Sequence, residues 1–162
     1  MRGLVVYYSL GGNSRRVAER AARELDADTA EVRAPRYEAG AFRILRAAFD
    51  SWRGRLPAIE VIGPRPDGYD FVFLMSPVWA GHAATPMRAY LAQNPGKLKR
   101  TAFLLTCGGS CPPRAFEEMA ALTGFQPERS FTVLDREIQG SAGLPPAVAS
   151  FLTLIKRREA AA

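Results

Sequence analysis

The stretch Ser9-Leu10-Gly11-Gly12-Asn13-Ser14 joins an apolar run, Leu4-Val5-Val6-Tyr7-Tyr8, to a segment with helical periodicity that begins near Arg15. A strand, a tight turn rich in glycine and hydroxyl groups, and a helix in this order aim backbone N–H groups at one point. The N-terminus of the helix adds roughly +0.5 charge at the same point. The stretch therefore predicts a phosphate-binding turn.

The length and composition are those of one globular domain. The chain has 162 residues, of which 48% are hydrophobic and 23% charged. A chain of this size buries about 70% of its unfolded surface, so we expect a single domain over residues 1–162. No run approaches the ~20 apolar residues of a membrane-spanning helix, and Met1-Arg2-Gly3-Leu4 leads into the first strand without a signal-peptide layout. The sequence predicts a cytoplasmic protein with no integral membrane segment.

The chain is basic, with a formal net charge of +6. Such a charge can serve binding to nucleic acid or to a membrane surface. The basic residues are scattered, however, and the one dense basic run is Lys156-Arg157-Arg158. We therefore expect a solvated excess of charge and no nucleic-acid partner.

The two cysteines, Cys107 and Cys111, lie four residues apart. In a cytosolic protein nearby thiols are usually reduced, so we expect free thiols and interpret Cys107, at a strand end, as a small buried hydrophobe. With one histidine and no further cysteine, the chain cannot complete a zinc site. We expect no metal.

Hydrophobic periodicity predicts strands that alternate with helices. Short apolar runs indicate buried strands, and apolar residues at helical spacing indicate amphipathic helices. This alternation favours an α/β fold with a parallel sheet and helices on both faces. The predicted strands cover residues 3–8, 29–32, 71–75, 101–106 and 130–134. Two predicted helices cover residues 13–25 and 86–93. A third follows the fourth strand and ends near residue 123, and a fourth runs from Pro145 or Pro146 to about residue 158.

The segment between the second and third predicted strands contains a further amphipathic helix. Phe42, Leu45, Phe49 and Trp52 recur at helical spacing. This helix suits a membrane surface or a partner helix, but we favour the interpretation that Phe49 and Trp52 pack on the sheet. Residues 54–68 are predicted to form a long surface loop, with an edge contact at 59–62.

Three predicted loops lie at the carboxyl ends of parallel strands, and therefore at one edge of the sheet. In parallel sheets ligands bind beyond the carboxyl ends of the strands, and the first, third and fourth predicted strands end in residues 9–14, 76–82 and 106–112. The loops are rich in Gly, Ser, Thr and Asn, and the middle one carries Trp79. The first would hold a phosphate, while the other two would flank a flat ring, with Trp79 stacking on it.

The three motifs together resemble the flavodoxin family: Tyr8-Ser9 with Gly12-Asn13-Ser14, then Ser76-Pro77-Val78-Trp79, then Thr106-Cys107-Gly108-Gly109-Ser110. The resemblance spans the chain and implies the flavodoxin-like fold, a three-layer α/β sandwich whose five-stranded parallel sheet has the order 2-1-3-4-5. It also implies non-covalent FMN, with the phosphate on Ser9 to Ser14 and the isoalloxazine between loops 76–82 and 106–111. The implied cofactor-binding residues are Ser9, Leu10, Gly11, Gly12, Asn13, Ser14, Ser76, Pro77, Val78, Trp79, Ala80, Gly81, Thr106, Cys107, Gly108, Gly109 and Ser110.

Gly11 departs from the family pattern, which usually has a hydroxyl residue at this third position. A hydrogen bond to a charged group is worth about 1.5–3 kcal/mol, so the missing hydroxyl predicts weaker FMN binding. Ser9, Asn13, Ser14 and the backbone donors remain, and we expect binding to survive.

The sequence lacks the motifs of other protein classes that bind phosphate or carry a nucleophile. The chain has no G-x-G-x-x-G and no GKS or GKT phosphate loop. A receiver domain needs a phospho-accepting Asp where Ser76-Pro77 stands, and Cys111-Pro112 breaks the G-x-S-x-G nucleophile elbow. The spacing from Cys107 to Arg114 is one residue too long for the Cys-x5-Arg phosphatase loop.

Three functions follow from these residues. The first is an electron-transfer flavoprotein with FMN as carrier, and the second an FMN-dependent NAD(P)H oxidoreductase with a quinone-type acceptor. The third is a flavin-free binding or regulatory module. The partner would be a redox protein or a small-molecule acceptor, the protein a monomer or homodimer, and no catalytic side chain is assigned.

Two details bear on mechanism. The loops at 9–14, 76–86 and 106–114 contain no Asp or Glu, and Arg114 is the nearest fixed charge. A reduced flavin anion would be less destabilised there, which predicts a less negative reduction potential. His82 is more simply an exposed loop residue than a group that contacts substrate, and a redox role for the two cysteines is the minor alternative.

Overall fold

The chain forms a seven-stranded mixed sheet flanked by helices. The computed structural model describes residues 2–98 and 100–160, so Met1, Lys99, Ala161 and Ala162 lie outside the described residues. The strands are β1 (Gly3–Tyr8), β2 (Asp28–Arg33), β3 (Glu60–Ile62), β4 (Phe71–Trp79), β5 (His82–Ala83), β6 (Thr101–Cys107) and β7 (Arg129–Leu134). The helices are α1 (Asn13–Leu25), α2 (Arg43–Trp52), α3 (Thr85–Gln93), α4 (Arg114–Thr123), α5 (Asp135–Gln139) and α6 (Pro146–Ala160).

The sheet order is β3-β2-β1-β4-β6-β7, with β5 paired to β4. Strands β2, β1, β4, β6 and β7 pair in parallel. This is the predicted order 2-1-3-4-5, but the predicted total of five parallel strands is wrong. Two short antiparallel strands are added: β3 pairs with β2 at one edge, and β5 pairs with β4.

The additional pairing at β4 arises because this strand runs past the predicted end at Met75. It continues to Trp79, and the chain then turns back through Ala80 and Gly81 into β5. Both turn residues have left-handed φ, 49° and 81°, the conformation that a two-residue hairpin favours. The sequence did not reveal this hairpin because Ala80 is not a residue that signals positive φ.

Successive strand residues face opposite helical layers. Leu4, Val6 and Tyr8 of β1 join a hydrophobic cluster with residues of α2, α3 and α4. Val5 and Tyr7 join a second cluster with residues of α1, α5 and α6. Because both faces of the sheet are covered, its central strands are buried throughout, which explains their continuous apolar runs. The arrangement is a three-layer α/β sandwich.

Helix α2 differs from its prediction. Phe42, Leu45, Phe49 and Trp52, here called the α2 stripe, are 70%, 67%, 53% and 69% exposed. The expectation that Phe49 and Trp52 pack on the sheet is wrong. The residues of α2 that face the protein are instead Ala47, Asp50 and Ser51.

Helix α5 was not predicted because five residues are too few to show a period. Its first turn is stabilised by the Leu134 amide, which donates to Glu137 Oε2 at 2.8 Å. None of the helices formed by the described residues is long and apolar enough to cross a bilayer.

Candidate functional site

Three neighbouring strands, β1, β4 and β6, end at the same edge of the sheet. The predicted site residues follow or occupy these ends. Ser9 to Gly12 form the loop after β1, and Asn13 and Ser14 begin α1. Ser76 to Trp79 are the last residues of β4, and Ala80-Gly81 form its turn. Thr106 and Cys107 end β6, and Gly108 to Ser110 are exposed in the loop that follows.

The first loop is closed by its own groups. The Gly12 amide donates to Ser9 Oγ at 3.1 Å, and the Gly12 carbonyl accepts from the Arg16 amide at 3.0 Å. Gly12 has a φ of 92°, which favours glycine. A Cβ added at Gly11 or Gly12 would have no heavy atom within 4 Å, so the loop faces open space where a ligand can approach the backbone.

The N-terminus of α1 suits an anion. Gly12 provides no side-chain cap, and the first turn contains no acidic residue. The first amides of a helix have no partner within it, so those of Asn13, Ser14 and Arg15 are placed to donate to a bound group. With the helix dipole, this favours a phosphate.

The first and third loops meet through two hydroxyl groups. Ser14 Oγ and Thr106 Oγ1 lie 2.9 Å apart, and both residues are 2% exposed. Each hydroxyl has one proton and can accept further hydrogen bonds. The pair fixes α1 against the end of β6, and it engages the Ser14 side chain that the sequence assigned to phosphate.

The second loop is held by buried polar contacts. Ser76 is fully buried, and its Oγ accepts from the Ala84 amide at 3.1 Å and donates to the Pro77 carbonyl at 3.0 Å. Its hydroxyl therefore supports the β4–β5 hairpin. The indole of Trp79 packs edge-on against Tyr8 and Tyr37, each at a centroid distance of 5.3 Å. Trp79 remains partly exposed, and its stacking on a flavin stays a prediction.

Tyr37 links this aromatic cluster to α2. Its hydroxyl donates to Asp50 Oδ2 at 2.9 Å and lies 3.1 Å from Thr85 Oγ1. Burial, more than any other influence, raises the pKa of the Tyr37 phenol. Burial also raises the pKa of Tyr8, so both rings behind Trp79 remain neutral.

Arg114 connects the second and third loops. Its Nε donates to the Gly81 carbonyl at 2.9 Å, and its Nη2 donates to the Ala80 carbonyl at 3.0 Å. A Cβ at Gly81 would overlap this guanidinium. The positive φ favours glycine at 81, and a Cβ there would force the Arg114 guanidinium to move.

The third loop is closed by a disulfide between Cys107 and Cys111, whose Cα atoms are 5.9 Å apart. The expectation of free thiols is therefore not met. The turn through 108–110 brings the two Cα atoms within the usual range for a disulfide, which spacing along the chain could not reveal. The expected burial of Cys107 is confirmed, at 3% exposed.

An ion pair and two hydrogen bonds between residues distant in the sequence support the second loop, and they were not predicted. Arg88 is 6% exposed, and it donates to Glu118 Oε1 at 2.6 Å and to the Ser51 carbonyl at 3.0 Å. Ser51 Oγ in turn donates to the Trp79 carbonyl at 2.8 Å. The only signal for this network was an arginine at an inward position of α3, between Met87 and Tyr90.

His82 lies on β5, not in an exposed loop. Its Nδ1 is 3.4 Å from Glu118 Oε1, and its side chain is 27% exposed. The interpretation of His82 as a solvent-exposed loop residue is therefore wrong. The imidazole faces α4 and belongs to the same ionic network as Arg88.

A carboxylate approaches the third loop from outside it. Asp135, the first residue of α5, has Oδ2 3.7 Å from the Cβ position of Gly108. The three loops themselves contain no Asp or Glu, but the fold supplies one from the end of β7. Arg114 is therefore not the one fixed charge near these loops, and the Asp135 carboxylate would oppose the less negative potential predicted from the loop residues.

A cavity of about 230 Å³ lies beside the first loop. Its lining includes Ser9 and Leu10 together with Arg15, Glu31 and Arg43. Arg15 forms an ion pair with Glu31, whereas Arg43 forms none with the described residues. Arg43, the first residue of α2, therefore lies near the loop formed by Ser9 to Gly12.

No protein-family model matches the chain, and no curated protein matches it. Solved structures do. A flavoprotein from Lactobacillus acidophilus NCFM in complex with FMN is similar with 24% identity and a TM-score of 0.71, over 86% of this chain and 97% of that chain.

Two further structures share the architecture. A protein from Bacteroides uniformis ATCC 8492 that is predicted to be a flavoprotein has 18% identity and a TM-score of 0.71, over 94% of this chain and 97% of that chain. An NADH:FMN oxidoreductase in its apo form has 14% identity and a TM-score of 0.53, over 93% of this chain and 83% of that chain. These likenesses establish the fold: the chain has the flavodoxin-like fold.

Proposed function

We propose that the chain binds FMN non-covalently and acts as an electron-transfer flavoprotein. The observation that carries this proposal is the joining of three loops at one edge of a flavodoxin-like sheet. The Ser14–Thr106 hydroxyl pair links the first loop to the third, and Arg114 links the third to the second. In this fold such an edge is where a ligand binds.

The first loop fits the phosphate of FMN. Its glycines leave the backbone open, and α1 presents amides with no carboxylate in the first turn. Ser9 Oγ, already an acceptor for the Gly12 amide, keeps its proton to donate. The chain thus supplies donors to a doubly charged group at the positive end of a helix.

The other two loops fit a flat ring. Gly108, Gly109 and Ser110 are exposed, and the two glycines leave room for close approach of an aromatic system. Trp79 offers a partly exposed indole held by Tyr8 and Tyr37. Bound FMN would supply the redox chemistry, while these residues orient the ring and limit its access to water.

The test is the visible spectrum of the purified protein, followed by a fluorescence titration of the flavin-free protein with FMN. We expect a yellow protein, or quenching of FMN fluorescence that saturates at one FMN per chain. A colourless protein that leaves FMN fluorescence unchanged would exclude a flavoprotein and favour a flavin-free binding module.

A second candidate is an FMN-dependent NAD(P)H oxidoreductase with a quinone-type acceptor. The similarity to an NADH:FMN oxidoreductase is the observation that favours it. Anaerobic addition of NADH or NADPH to the FMN-loaded protein separates the two candidates. An electron carrier keeps its absorbance on the time scale of minutes, whereas an oxidoreductase is bleached and recovers when a quinone is added.

A further inference from the structure

Helix α2 presents its apolar face to solvent. The α2 stripe residues Phe42, Leu45, Phe49 and Trp52 lie three, four and three positions apart, so they share one face of the helix. The Phe49 and Trp52 rings contact each other at a centroid distance of 6.1 Å. Ile44, 66% exposed, widens the apolar surface at the helix start.

The α2 stripe and Ile44 together form a large exposed apolar surface. An aromatic side chain has on the order of 150–250 Å² of surface, and Phe42, Phe49 and Trp52 are each more than half exposed. Together with Leu45 and Ile44 they present several hundred Å², as much as the largest patch on a typical monomer, about 300–600 Å². Patches of this size are often functional.

Basic residues border the stripe. Arg43, Arg46 and Arg53 are exposed, and they form no ion pair with the described side chains of residues 2–98 and 100–157. The Arg53 Cζ lies 5.4 Å from the Phe49 ring centroid and 5.7 Å from the Trp52 centroid. An apolar stripe flanked by arginines is complementary to a surface that is apolar inside and anionic outside.

Negative charge is scarce around the stripe. Between residues 37 and 56 the acidic residues are Glu38 and Asp50. Asp50 is 1% exposed and is bonded to Arg36 at 2.6 Å, so it presents no charge to solvent. Glu38 is exposed and lines the same cavity as Arg43, so it offsets part of the positive charge at that end of the stripe. Arg46 and Arg53 have no exposed carboxylate beside them in the sequence from 39 to 56.

A second copy of the chain fits this face less well. In an isologous dimer the same patch meets itself, so Arg43, Arg46 and Arg53 of both copies would be gathered at one interface. Six like charges at one interface would repel one another. An anionic lipid surface instead attracts each of these arginines.

We propose that the α2 stripe and its flanking arginines dock the protein on anionic lipid bilayers, with α2 lying in the interface. The apolar side chains would insert at the boundary between headgroups and acyl chains, while the arginines contact lipid phosphates. Ser51 of α2 donates to the Trp79 carbonyl at 2.8 Å, so the candidate site lies next to the docked helix. The docking does not depend on the proposed FMN binding.

The test is cosedimentation of the protein with vesicles of equal parts phosphatidylglycerol and phosphatidylcholine, compared with vesicles of phosphatidylcholine alone. We expect the wild type to sediment with the anionic vesicles and much less with the neutral ones. Raising the salt to about 1 M, where the Debye length is ~3 Å, should release much of it.

Two double variants separate the apolar and charged contributions. Leu45→Ser with Phe49→Ser should lower the partition coefficient at least about tenfold, since two inserting side chains are lost. Arg46→Gln with Arg53→Gln should lower binding to the anionic vesicles only. The matched controls are Leu154→Ser, which changes an exposed leucine of α6, and Arg65→Gln, which changes an exposed arginine outside the stripe. Both controls should bind as the wild type does.

Failure of the wild type to bind anionic vesicles would overturn the proposal, as would unchanged binding by the Leu45→Ser/Phe49→Ser variant. Sedimentation velocity without lipid supplies a further check, and we expect a monomer. A stable dimer that this double variant dissociates would contradict the proposal and assign the stripe to a second copy. Because the substituted residues are exposed, circular dichroism of all variants should match the wild type.

Discussion

Helices α1 and α2 are both strongly amphipathic, yet they turn opposite faces towards the sheet. In α1 the buried positions other than Ser14 are apolar: Val17 is 1% exposed, and Ala18 and Ala21 are fully buried. In α2 the buried positions are Ala47, Asp50 and Ser51, while the aromatic and aliphatic residues face outwards. Helix α1 is held by apolar burial, whereas α2 is held by specific polar contacts.

The two helices therefore differ in what their apolar residues do: those of α1 form the core, and those of α2 form an exposed surface. Helix α1 is anchored in the core, and its N-terminus begins at the loop that we propose to hold the FMN phosphate. Helix α2 gives up apolar burial and depends on Asp50, Ser51 and the groups bonded to them. Because polar contacts hold α2, its apolar side chains remain exposed and can contact a partner such as the proposed lipid bilayer.

The largest expected effect is the difference in stability loss when a charge is placed on the buried apolar face of α1 and on the exposed apolar face of α2. Val17→Asp buries an unpaired carboxylate and should cost more than about 4 kcal/mol in the free energy of unfolding. Leu45→Asp is its matched control on α2 and should cost under about 1 kcal/mol, mainly through helix propensity. Urea denaturation measures both. Similar losses in the two variants would mean that the α2 stripe is buried in solution.

The next effect concerns the polar anchor of α2. Asp50→Asn removes the charge that Arg36 and Tyr37 bond, and should cost about 2 kcal/mol, the range for hydrogen bonds to a charged group. The hydrogen bond from Arg36 is the main reason that the pKa of Asp50 lies below its usual value. Urea denaturation as a function of pH measures the loss.

The sign of the pH dependence follows from that lowered pKa. A carboxyl with a lower pKa in the folded state stabilises the fold above the unfolded pKa, about 3.9, and the stabilisation is lost as the pH falls through the folded value. The difference between wild type and Asp50→Asn should therefore stay constant from about pH 5 to 8 and shrink below about pH 4. A difference that grows on acidification would contradict this role for Asp50.

A comparable effect, on ligand affinity instead of stability, is expected at the N-terminal end of α1. Gly11→Thr restores the hydroxyl that the flavodoxin family usually has, and its Cβ meets no atom within 4 Å. One added hydrogen bond to a charged group, about 1.5–3 kcal/mol, should strengthen FMN binding roughly tenfold or more. Fluorescence titration measures the affinity, with Gly11→Ala as the control without a hydroxyl. Leu45→Asp should leave the affinity unchanged, and equal gains for Thr and Ala would rule out the hydroxyl as the cause.

The smallest effect tests the link between the second and third loops. Gly81→Ala places a side chain at a φ of 81° and against the Arg114 guanidinium, which should cost about 1–2 kcal/mol. In the background of Arg114→Ala the contact is gone, so the same substitution should cost less. A double-mutant cycle by urea denaturation measures this coupling. Additive losses would show that Arg114 does not contact Gly81 in solution.

The sequence predicted correctly those elements whose ends are set by residues close to them in the chain. Helix α1 has its predicted ends at Asn13 and Leu25, and α4 ends before Gly124 as expected. The strand order and the shared edge of the three loops also agree, because parallel strands with helical connections permit few arrangements. The assignment of FMN to those loops stays a prediction.

The features that the sequence did not predict depend on distant partners. Periodicity shows that α2 has an apolar face but not which way it points. That direction is decided by Asp50, whose partners Arg36 and Tyr37 come from a separate turn. The approach of Asp135 to Gly108 likewise depends on the pairing of β6 with β7.

The most direct test of the central claim is a parallel fluorescence titration of the flavin-free protein with FMN and with riboflavin, which lacks the phosphate. If the loop from Ser9 to Ser14 holds the phosphate, FMN should bind at least about tenfold more tightly than riboflavin, since charge-assisted hydrogen bonds are lost with the phosphate. Equal affinity for the two flavins, or binding of neither, would contradict the account.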